Sequence, residues 1–173
     1  MNFEFLILDF IRDNLTSTFM DGLMKGITFL GNAGWLWIAL GVILSFIPKT
    51  RKLGFSVCIA LIFSLLLCNL TLKPLVARVR PYQIREIALI IETPSDFSFP
   101  SGHTSASFAG AVAILLNNKK LGVPPIILAA LIAFSRLYLY VHFPTDIIGG
   151  IILGSLCAVL GYFIVKKTKL NSL

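Results

Sequence analysis

The sequence predicts an all-α membrane protein, built as one helical bundle of about five transmembrane helices with an amphipathic helix at its N-terminus. Of its 173 residues, 57% are hydrophobic and only 13% are charged, and the mean hydropathy of +0.88 is far above that of a soluble domain. This length suits a single domain over residues 1–173. Residues 1–15 lack a basic start followed by a clean apolar stretch, so we expect no cleavable signal peptide.

The first predicted element is an amphipathic helix over residues 2–15. Its apolar side chains gather near one helical face, while its charged side chains lie largely elsewhere. Such a helix either lies in the membrane interface or packs against the bundle, and both interpretations stay open. The apolar face consists of Phe3, Leu6, Ile7, Phe10 and Ile11.

Five apolar segments are predicted to span the membrane, because a span needs about 20 mostly apolar residues. The third of them is short for a span, and residues 20–30 could extend the first as an amphipathic helix. The predicted spans cover residues 31–47, 53–72, 101–116, 123–140 and 146–165.

Basic residues follow the first, third and fifth predicted spans. With five spans these clusters share one side of the membrane, and the positive-inside rule makes that side cytoplasmic. The N-terminus then lies outside. Topology also accounts for the net charge of +7, so we expect no nucleic-acid partner. The clusters are Lys49, Arg51 and Lys52, then Lys119 and Lys120, then Lys166, Lys167 and Lys169.

Three polar clusters interrupt the apolar chain on the opposite, outer side. The first follows the second span, the next opens the third span, and the last lies at the turn between the fourth and fifth spans. Charged groups at the edge of a membrane region are costly to keep, so they indicate a functional site. Both histidines of the chain belong to these clusters, which contain Lys73 and Arg80, then Ser101, Gly102 and His103, then Arg136, His142 and Asp146.

The first property these residue types share is the ability to hold a phosphate group. Lys73, Arg80 and Arg136 supply positive charge, and the arginine fork matches phosphate oxygens in a bidentate manner. Ser101 and Gly102 stand where a helix begins, and the free backbone N–H groups of a helix start bind anions. The hydroxyl of Ser101 can donate a further hydrogen bond.

The histidines supply the second property, the ability to cleave the phosphate ester. His142 and Asp146 are four residues apart, so in a helical segment they share a face. The carboxylate would fix the tautomer of His142 and leave its other ring nitrogen free to attack. His103 could then protonate the leaving group. Each feature alone has an ordinary structural explanation, but their joint occurrence on one side favours a phosphatase.

A metal site would be the competing chemistry. The acidic residues Glu86, Glu92 and Asp96 lie in the longest loop without the spacing of metal ligands, and three cations nearby would repel a divalent ion. The three cysteines lie inside apolar runs and are expected to be small core residues. We therefore expect neither a metal ion nor another cofactor.

The three clusters resemble the signature of the type 2 phosphatidic acid phosphatase (PAP2) superfamily, whose members share a site with vanadium haloperoxidases. The match comprises Lys73, six residues and Arg80-Pro81; Pro100-Ser101-Gly102-His103; and Ser135-Arg136, five residues, His142, three residues and Asp146.

The resemblance implies a metal-independent, two-step reaction on a helical bundle. His142 would form a phosphohistidine, Asp146 would orient it, and His103 would protonate the leaving group and later activate water. The phosphate would be held by Lys73, Arg80, Ser101, Gly102 and Arg136.

The short form of the chain is similar to bacterial undecaprenyl-diphosphate phosphatases, which recycle a lipid carrier of cell-wall synthesis at an outward-facing site. We therefore expect a multi-pass protein of the plasma (inner) membrane that acts on a lipid phosphate, with undecaprenyl diphosphate the leading candidate. Phosphatidylglycerophosphate and phosphatidic acid are alternatives within the same chemistry. A transporter or a non-catalytic scaffold is the alternative of another class. Arg78 and Arg85 could contact a second phosphate, or they could serve as lipid-headgroup or topology charges, and the oligomeric state is left open.

Overall fold

The protein is described here from a computed structural model that covers residues 3–168, so Lys169 lies outside the described part of the chain. Every regular element within this range is helical, which confirms the predicted fold class. A 3₁₀ turn, Asn32–Gly34, joins α2 to α3, and a π-helical segment, Leu65–Leu72, joins α4 to α5. The helices are α1 Phe3–Leu15, α2 Thr18–Leu30, α3 Trp35–Phe46, α4 Arg51–Ser64, α5 Lys73–Val76, α6 Pro81–Arg85, α7 Gly102–Asn117, α8 Lys119–Tyr138 and α9 Pro144–Lys167.

Three stretches of the described chain are long and apolar enough to cross a membrane: residues 51–85, α8 and α9. Helices α2 and α3, bent by 40° at their junction, form a fourth if they count as one broken span. The predicted third span is α7, whose 16 residues reach about 24 Å, short of the roughly 30 Å hydrocarbon core. This helix lies at the centre of the bundle, where it packs against α4, α8 and α9.

Glycines on α9 allow the central helices to approach closely. A Cβ atom added to Gly154 would lie 2.3 Å from the carbonyl oxygen of Ser105 on α7. At Gly161 it would lie 2.7 Å from the carbonyl oxygen of Ser56 on α4. Small residues at such positions let helix backbones pack in van der Waals contact within a membrane. Helix α9 is thereby held against both neighbours, which fixes the relative positions of the helix ends that carry the polar clusters.

The close contact at Gly154 predicts a large loss of stability on a minimal substitution. In Gly154→Ala the new methyl group meets backbone atoms that cannot rotate away, so we expect the free energy of unfolding in detergent to fall by about 1–3 kcal/mol. Gly26→Ala is the matched control, because no described atom lies within 4 Å of its added Cβ and alanine favours a helix. Equal melting temperatures for the two variants would contradict the close packing of α7 and α9.

Helix α1 has two apolar faces. Phe5, Leu8 and Ile11 are buried against the bundle, in a cluster that includes Tyr140 and Phe143. Helix α1 therefore packs on the bundle, while a second face stays apolar and exposed. That this face lies in the membrane interface stays a prediction. Of the predicted apolar face, Ile11 is buried and Ile7 half-buried, and the exposed members are Phe3, Leu6 and Phe10.

Candidate active site

The first polar cluster lies where the helix that begins with α4 is interrupted. Pro74 lacks an N–H donor and its ring crowds the preceding turn, and the wider π-helical segment directly before it accommodates this loss. Ala77, with a left-handed φ of 48°, ends α5, and Arg80 precedes the first residue of α6. The turn brings Lys73 and Arg80 together at buried positions, 5% and 2% exposed.

Asp96 bridges these two cations. One of its carboxylate oxygens pairs with Lys73, and the other lies 2.6 Å from Arg80 Nη2. Arg80 Nε also donates to the backbone oxygen of Asp96 at 2.8 Å. Burial alone would raise the pKa of Asp96, but hydrogen bonds and positive charge from Lys73 and Arg80 lower that pKa to about 2. An ionised carboxylate therefore forms ion pairs with both cations in this structure.

The third cluster is built by a reversal of the chain between α8 and α9. Tyr140, with a left-handed φ of 59°, turns the backbone, and Phe143 then caps α9, whose first residue is Pro144. This arrangement places His142 just outside the helix and Asp146 in its first turn. Asp146 Oδ2 accepts hydrogen bonds from the Phe143 N–H at 2.8 Å and from the Ser98 hydroxyl at 2.5 Å.

His142 faces a carboxylate on one side and a guanidinium on the other. Its Nδ1 lies 3.5 Å from Asp146 Oδ2, longer than an ordinary hydrogen bond, and its Nε2 lies 3.2 Å from Arg80 Nη1. The side chain is 1% exposed. Burial lowers the pKa of His142, and although the Asp146 carboxylate acts in the opposite direction, the positive charges of Arg80 and Arg136 add to the lowering. The imidazole is therefore neutral at physiological pH, with an unshared electron pair on one nitrogen.

The two remaining charged or titratable site residues, His103 and Arg136, are hydrogen-bonded to side chains from the N-terminal part of the chain. His103, in the first turn of α7, lies with its Nε2 2.9 Å from Asn32 Oδ1. Arg136, near the end of α8, donates from Nη1 to the Thr28 hydroxyl at 2.5 Å. Within residues 3–168 its buried Nε has no hydrogen-bond partner. An unsatisfied buried donor of this kind suits a site that receives an anion.

A polar cavity of about 500 Å³ collects five of the eight predicted site residues. Residues 91–96 of the long loop and part of α2 complete its lining. A second cavity of about 600 Å³, with mostly apolar walls from α3, α4 and the π-helical segment, lies against it and shares Lys73, Asp96 and His103. The five residues in the polar cavity are Lys73, Arg80, His103, Arg136 and His142.

The other three predicted residues lie around this cavity. Gly102 lines the apolar cavity. Asp146 is fully buried beside His142. Ser101 caps α7, is fully buried, and its hydroxyl oxygen accepts a hydrogen bond from the Thr104 hydroxyl at 2.9 Å. Donation from Ser101 to a phosphate stays a prediction.

Arg78 and Arg85, the candidates for a second phosphate, for lipid headgroups or for topology, both pair with carboxylates of α1. Arg78 contacts Glu4 at 2.6 Å and also Asp146 at 2.7 Å. Arg85 lies 3.4 Å from Asp9. Both arginines are thus paired with carboxylates of the same chain.

Sequence reasoning missed several partners of the site, namely Thr28, Asn32, Asp96 and Ser98. Thr28 and Asn32 come from a segment that carries no recognisable pattern. Asp96 and Ser98 stand immediately before the second cluster in the longest loop, and this proximity was the one available signal.

Comparison with known proteins identifies the family of the chain. The PAP2 superfamily model matches residues 51–169. An undecaprenyl-diphosphatase of Sulfolobus acidocaldarius is 32% identical, over 90% of this chain and 75% of the relative. Phosphatidylglycerophosphatase B of Bacillus subtilis is 33% identical, over 85% and 74%. The crystal structure of a transmembrane PAP2-type phosphatidylglycerolphosphate phosphatase from Bacillus subtilis superposes with a TM-score of 0.78 at 30% identity, over 95% of this chain and 85% of that one. The chain belongs to the PAP2 superfamily and is a membrane lipid phosphatase.

Proposed function

We propose that this phosphatase removes the terminal phosphate of a lipid diphosphate, most directly undecaprenyl diphosphate, through a phosphohistidine at His142 and without a metal ion. The observation that carries the proposal is the polar cavity, in which three cations surround a neutral histidine beside an apolar cavity. The cations neutralise the phosphate, and the apolar walls accept the lipid.

Phosphate binding requires the displacement of Asp96. The terminal phosphate takes the place of that carboxylate between Lys73 and Arg80, and Arg136 contributes the unsatisfied Nε. The start of α7 at Gly102 adds backbone N–H groups that an α-helix leaves without internal partners. A phosphate so held presents its phosphorus to His142.

The first chemical step transfers the phosphoryl group to the protein. The electron pair of His142 Nε2 forms a bond to phosphorus while the bond to the leaving oxygen breaks. His103 gives a proton to that oxygen, so the lipid product leaves as a stable species. Asp146 stabilises the positive charge that develops on the imidazole and holds Nδ1 in its protonated form.

The second step returns the protein to its starting state. Water attacks phosphorus while His103 takes one of its protons. The phosphorus–nitrogen bond breaks, its electron pair returns to Nε2, and inorganic phosphate leaves. Two histidines thus complete the cycle, and charge on the phosphate is balanced by lysine and arginine.

The position of the site in the helices supports an outward-facing orientation. The basic residues Arg51, Lys119 and Lys167 lie at the ends of α4, α8 and α9 that are remote from the polar cavity. Basic helix ends face the cytoplasm in most membrane proteins. The cavity then faces outward, at the surface where a spent lipid carrier would be dephosphorylated.

Phosphatidylglycerophosphate is the second candidate substrate, because one relative and one superposed structure carry that activity in their names. Phosphatidic acid is the third. We expect purified protein with chelator present to release phosphate from undecaprenyl diphosphate with a kcat/KM about tenfold above that for the other two lipids. One additional contact between protein and substrate is enough to produce a ratio of this size. Preference for a glycerophospholipid would reassign the substrate. Activity abolished by chelator would refute the metal-free mechanism, and no release from any of the three lipids would refute the proposed function.

A further inference from the structure

We infer that Glu4 and Arg78 form a positioning pair for Asp146, so that the N-terminal helix α1 belongs to the catalytic apparatus. The inference rests on the proposed function, in which Asp146 orients the attacking histidine. Glu4 lies outside residues 51–169, the part that matches the family. Neither residue of the pair belongs to the three-cluster signature.

The contacts form one continuous chain of charges. Arg78 Nη1 donates to Asp146 Oδ1 at 2.7 Å, and Nη2 of the same guanidinium donates to Glu4 Oε2 at 2.6 Å. The guanidinium carbon lies 4.0 Å from the centre of the Phe143 ring. Thr145 joins the group by accepting from Arg78 and donating to Glu4. One planar arginine fork therefore links two carboxylates from opposite ends of the sequence.

Burial makes these contacts consequential. The side chain of Asp146 is 0% exposed, that of Glu4 is 10% exposed and that of Arg78 is 26% exposed. Charges shielded from water interact more strongly than charges at a surface, and a buried charge that loses its partner is costly. Arg78 offsets the charge of Asp146, and Glu4 in turn offsets that of Arg78.

The geometry assigns each oxygen of Asp146 a separate task. Oδ1 binds Arg78, while Oδ2 faces Nδ1 of His142 and accepts from Ser98 and Phe143. With Oδ1 held by the arginine, the carboxylate cannot rotate without breaking a charged hydrogen bond. Arg78 therefore fixes the plane of the carboxylate, and Glu4 fixes the arginine. Partners of this kind set the orientation and basicity of a functional side chain.

Helix α1 also contains a control for simple tethering. Asp9 pairs with Arg85 at 3.4 Å, and these side chains are 31% and 41% exposed. Arg85 also lies over the ring of Phe5 at 4.5 Å. Asp9 also accepts a hydrogen bond from the Tyr140 hydroxyl at 2.6 Å. These contacts anchor α1 to the segment after the first cluster and to the chain reversal before His142, and neither Asp9 nor Arg85 pairs with Asp146 in the described contacts. In Asp9→Asn the charge that pairs with Arg85 is lost, while the amide oxygen can still accept from Tyr140, so α1 is loosened without a change in the partners of Asp146.

The experiment compares Arg78→Gln, Arg78→Lys, Glu4→Gln and Asp9→Asn in steady-state kinetics, in a single-turnover measurement of phosphoenzyme formation and in thermal melting. We expect Arg78→Gln to lower kcat and the phosphorylation rate by about 10- to 100-fold, the range for loss of such an orienting partner. KM should change little, because the phosphate-binding cations are intact. Arg78→Lys should restore part of the rate, since lysine can still pair with one carboxylate.

The Glu4 variant decides whether α1 acts through Arg78. Glu4→Gln should lower the phosphorylation rate by about 3- to 10-fold, and added to Arg78→Gln it should cost nothing further, as expected for residues that act as a unit. Asp9→Asn should retain the wild-type rate. The inference would be overturned if Asp9→Asn lowered the rate as far as Glu4→Gln does and the melting temperature of both variants fell along with the rate. A folded Arg78→Gln protein with an unchanged rate would also overturn it.

Failure of the inference differs from failure of the proposed function. If the wild-type protein forms no phosphoenzyme at all, the proposed mechanism fails. If the wild type forms it and the Arg78 and Glu4 variants form it equally fast, only the positioning pair is refuted. Should Arg78→Gln not fold, Arg78→Lys and Glu4→Gln still decide between these outcomes.

Discussion

Replacement of His142 by glutamine is expected to abolish both phosphate release and phosphoenzyme formation, with a loss of at least about 10⁴-fold in kcat, as is typical for an essential nucleophile. His103→Gln should separate the two steps. With p-nitrophenyl phosphate, whose leaving group needs no proton, the variant should still phosphorylate His142. Hydrolysis of the phosphoenzyme would be slow because no base activates water. The intermediate should therefore accumulate.

The chain is well suited to this measurement because it contains only two histidines. A phosphoramidate is labile in acid and stable in base, so the quenched protein can be distinguished from one with a phosphoserine. With a substrate whose phosphate is labelled, we expect label on the peptide that contains His142 in the His103→Gln protein. We expect no label in the variant that carries both His103→Gln and His142→Gln. Label retained in His142→Gln, or full turnover by that variant, would refute the proposed nucleophile.

Local patterns were sufficient to predict the elements that bear the site. The spacing from His142 to Asp146 and the Pro-Ser-Gly-His sequence each describe a helix start, and α9 and α7 begin at Pro144 and Gly102. Such features depend on neighbours within one turn, where capping and proline geometry dominate. The all-α class was predictable as well, because hydropathy is also a property of the local sequence.

Long-range contacts were beyond the reach of the sequence. Arg80 lies beside His142, which is 62 residues later in the sequence. Asp96 forms ion pairs with two cations from a loop whose acidic residues lack the spacing of metal ligands. These pairings depend on how α9 packs on α7, and that packing is governed by backbone contacts at Gly154 rather than by any charged motif. Hydropathy also could not show that α7 is a short central helix, since a buried helix and a membrane span are equally apolar.

The competition between Asp96 and phosphate leads to the second large expected effect. Arg80→Lys and Asp96→Asn should move the inhibition constant for inorganic phosphate in opposite directions. Lysine keeps the charge but loses the fork that contacts Val141, Asp96 and the incoming anion, so we expect the constant to rise about 100-fold. Asparagine removes the competing charge, so we expect the constant to fall about tenfold.

The contrast works because Asp96→Asn removes the charge and preserves the backbone contacts to Arg80. Asp96→Asn leaves unchanged the carbonyl oxygens of Asp96 and Phe97 that accept from Arg80, so the guanidinium keeps its backbone anchors to the loop. Arg85→Lys, at an exposed ion pair with Asp9, is the control for the loss of an arginine fork elsewhere. A pKa near 2 keeps Asp96 ionised at any pH where the enzyme would be assayed, so acidification to pH 5 should not mimic the Asp96→Asn variant. If instead Asp96→Asn weakens phosphate binding as Arg80→Lys does, the carboxylate orders the cations and does not compete for them.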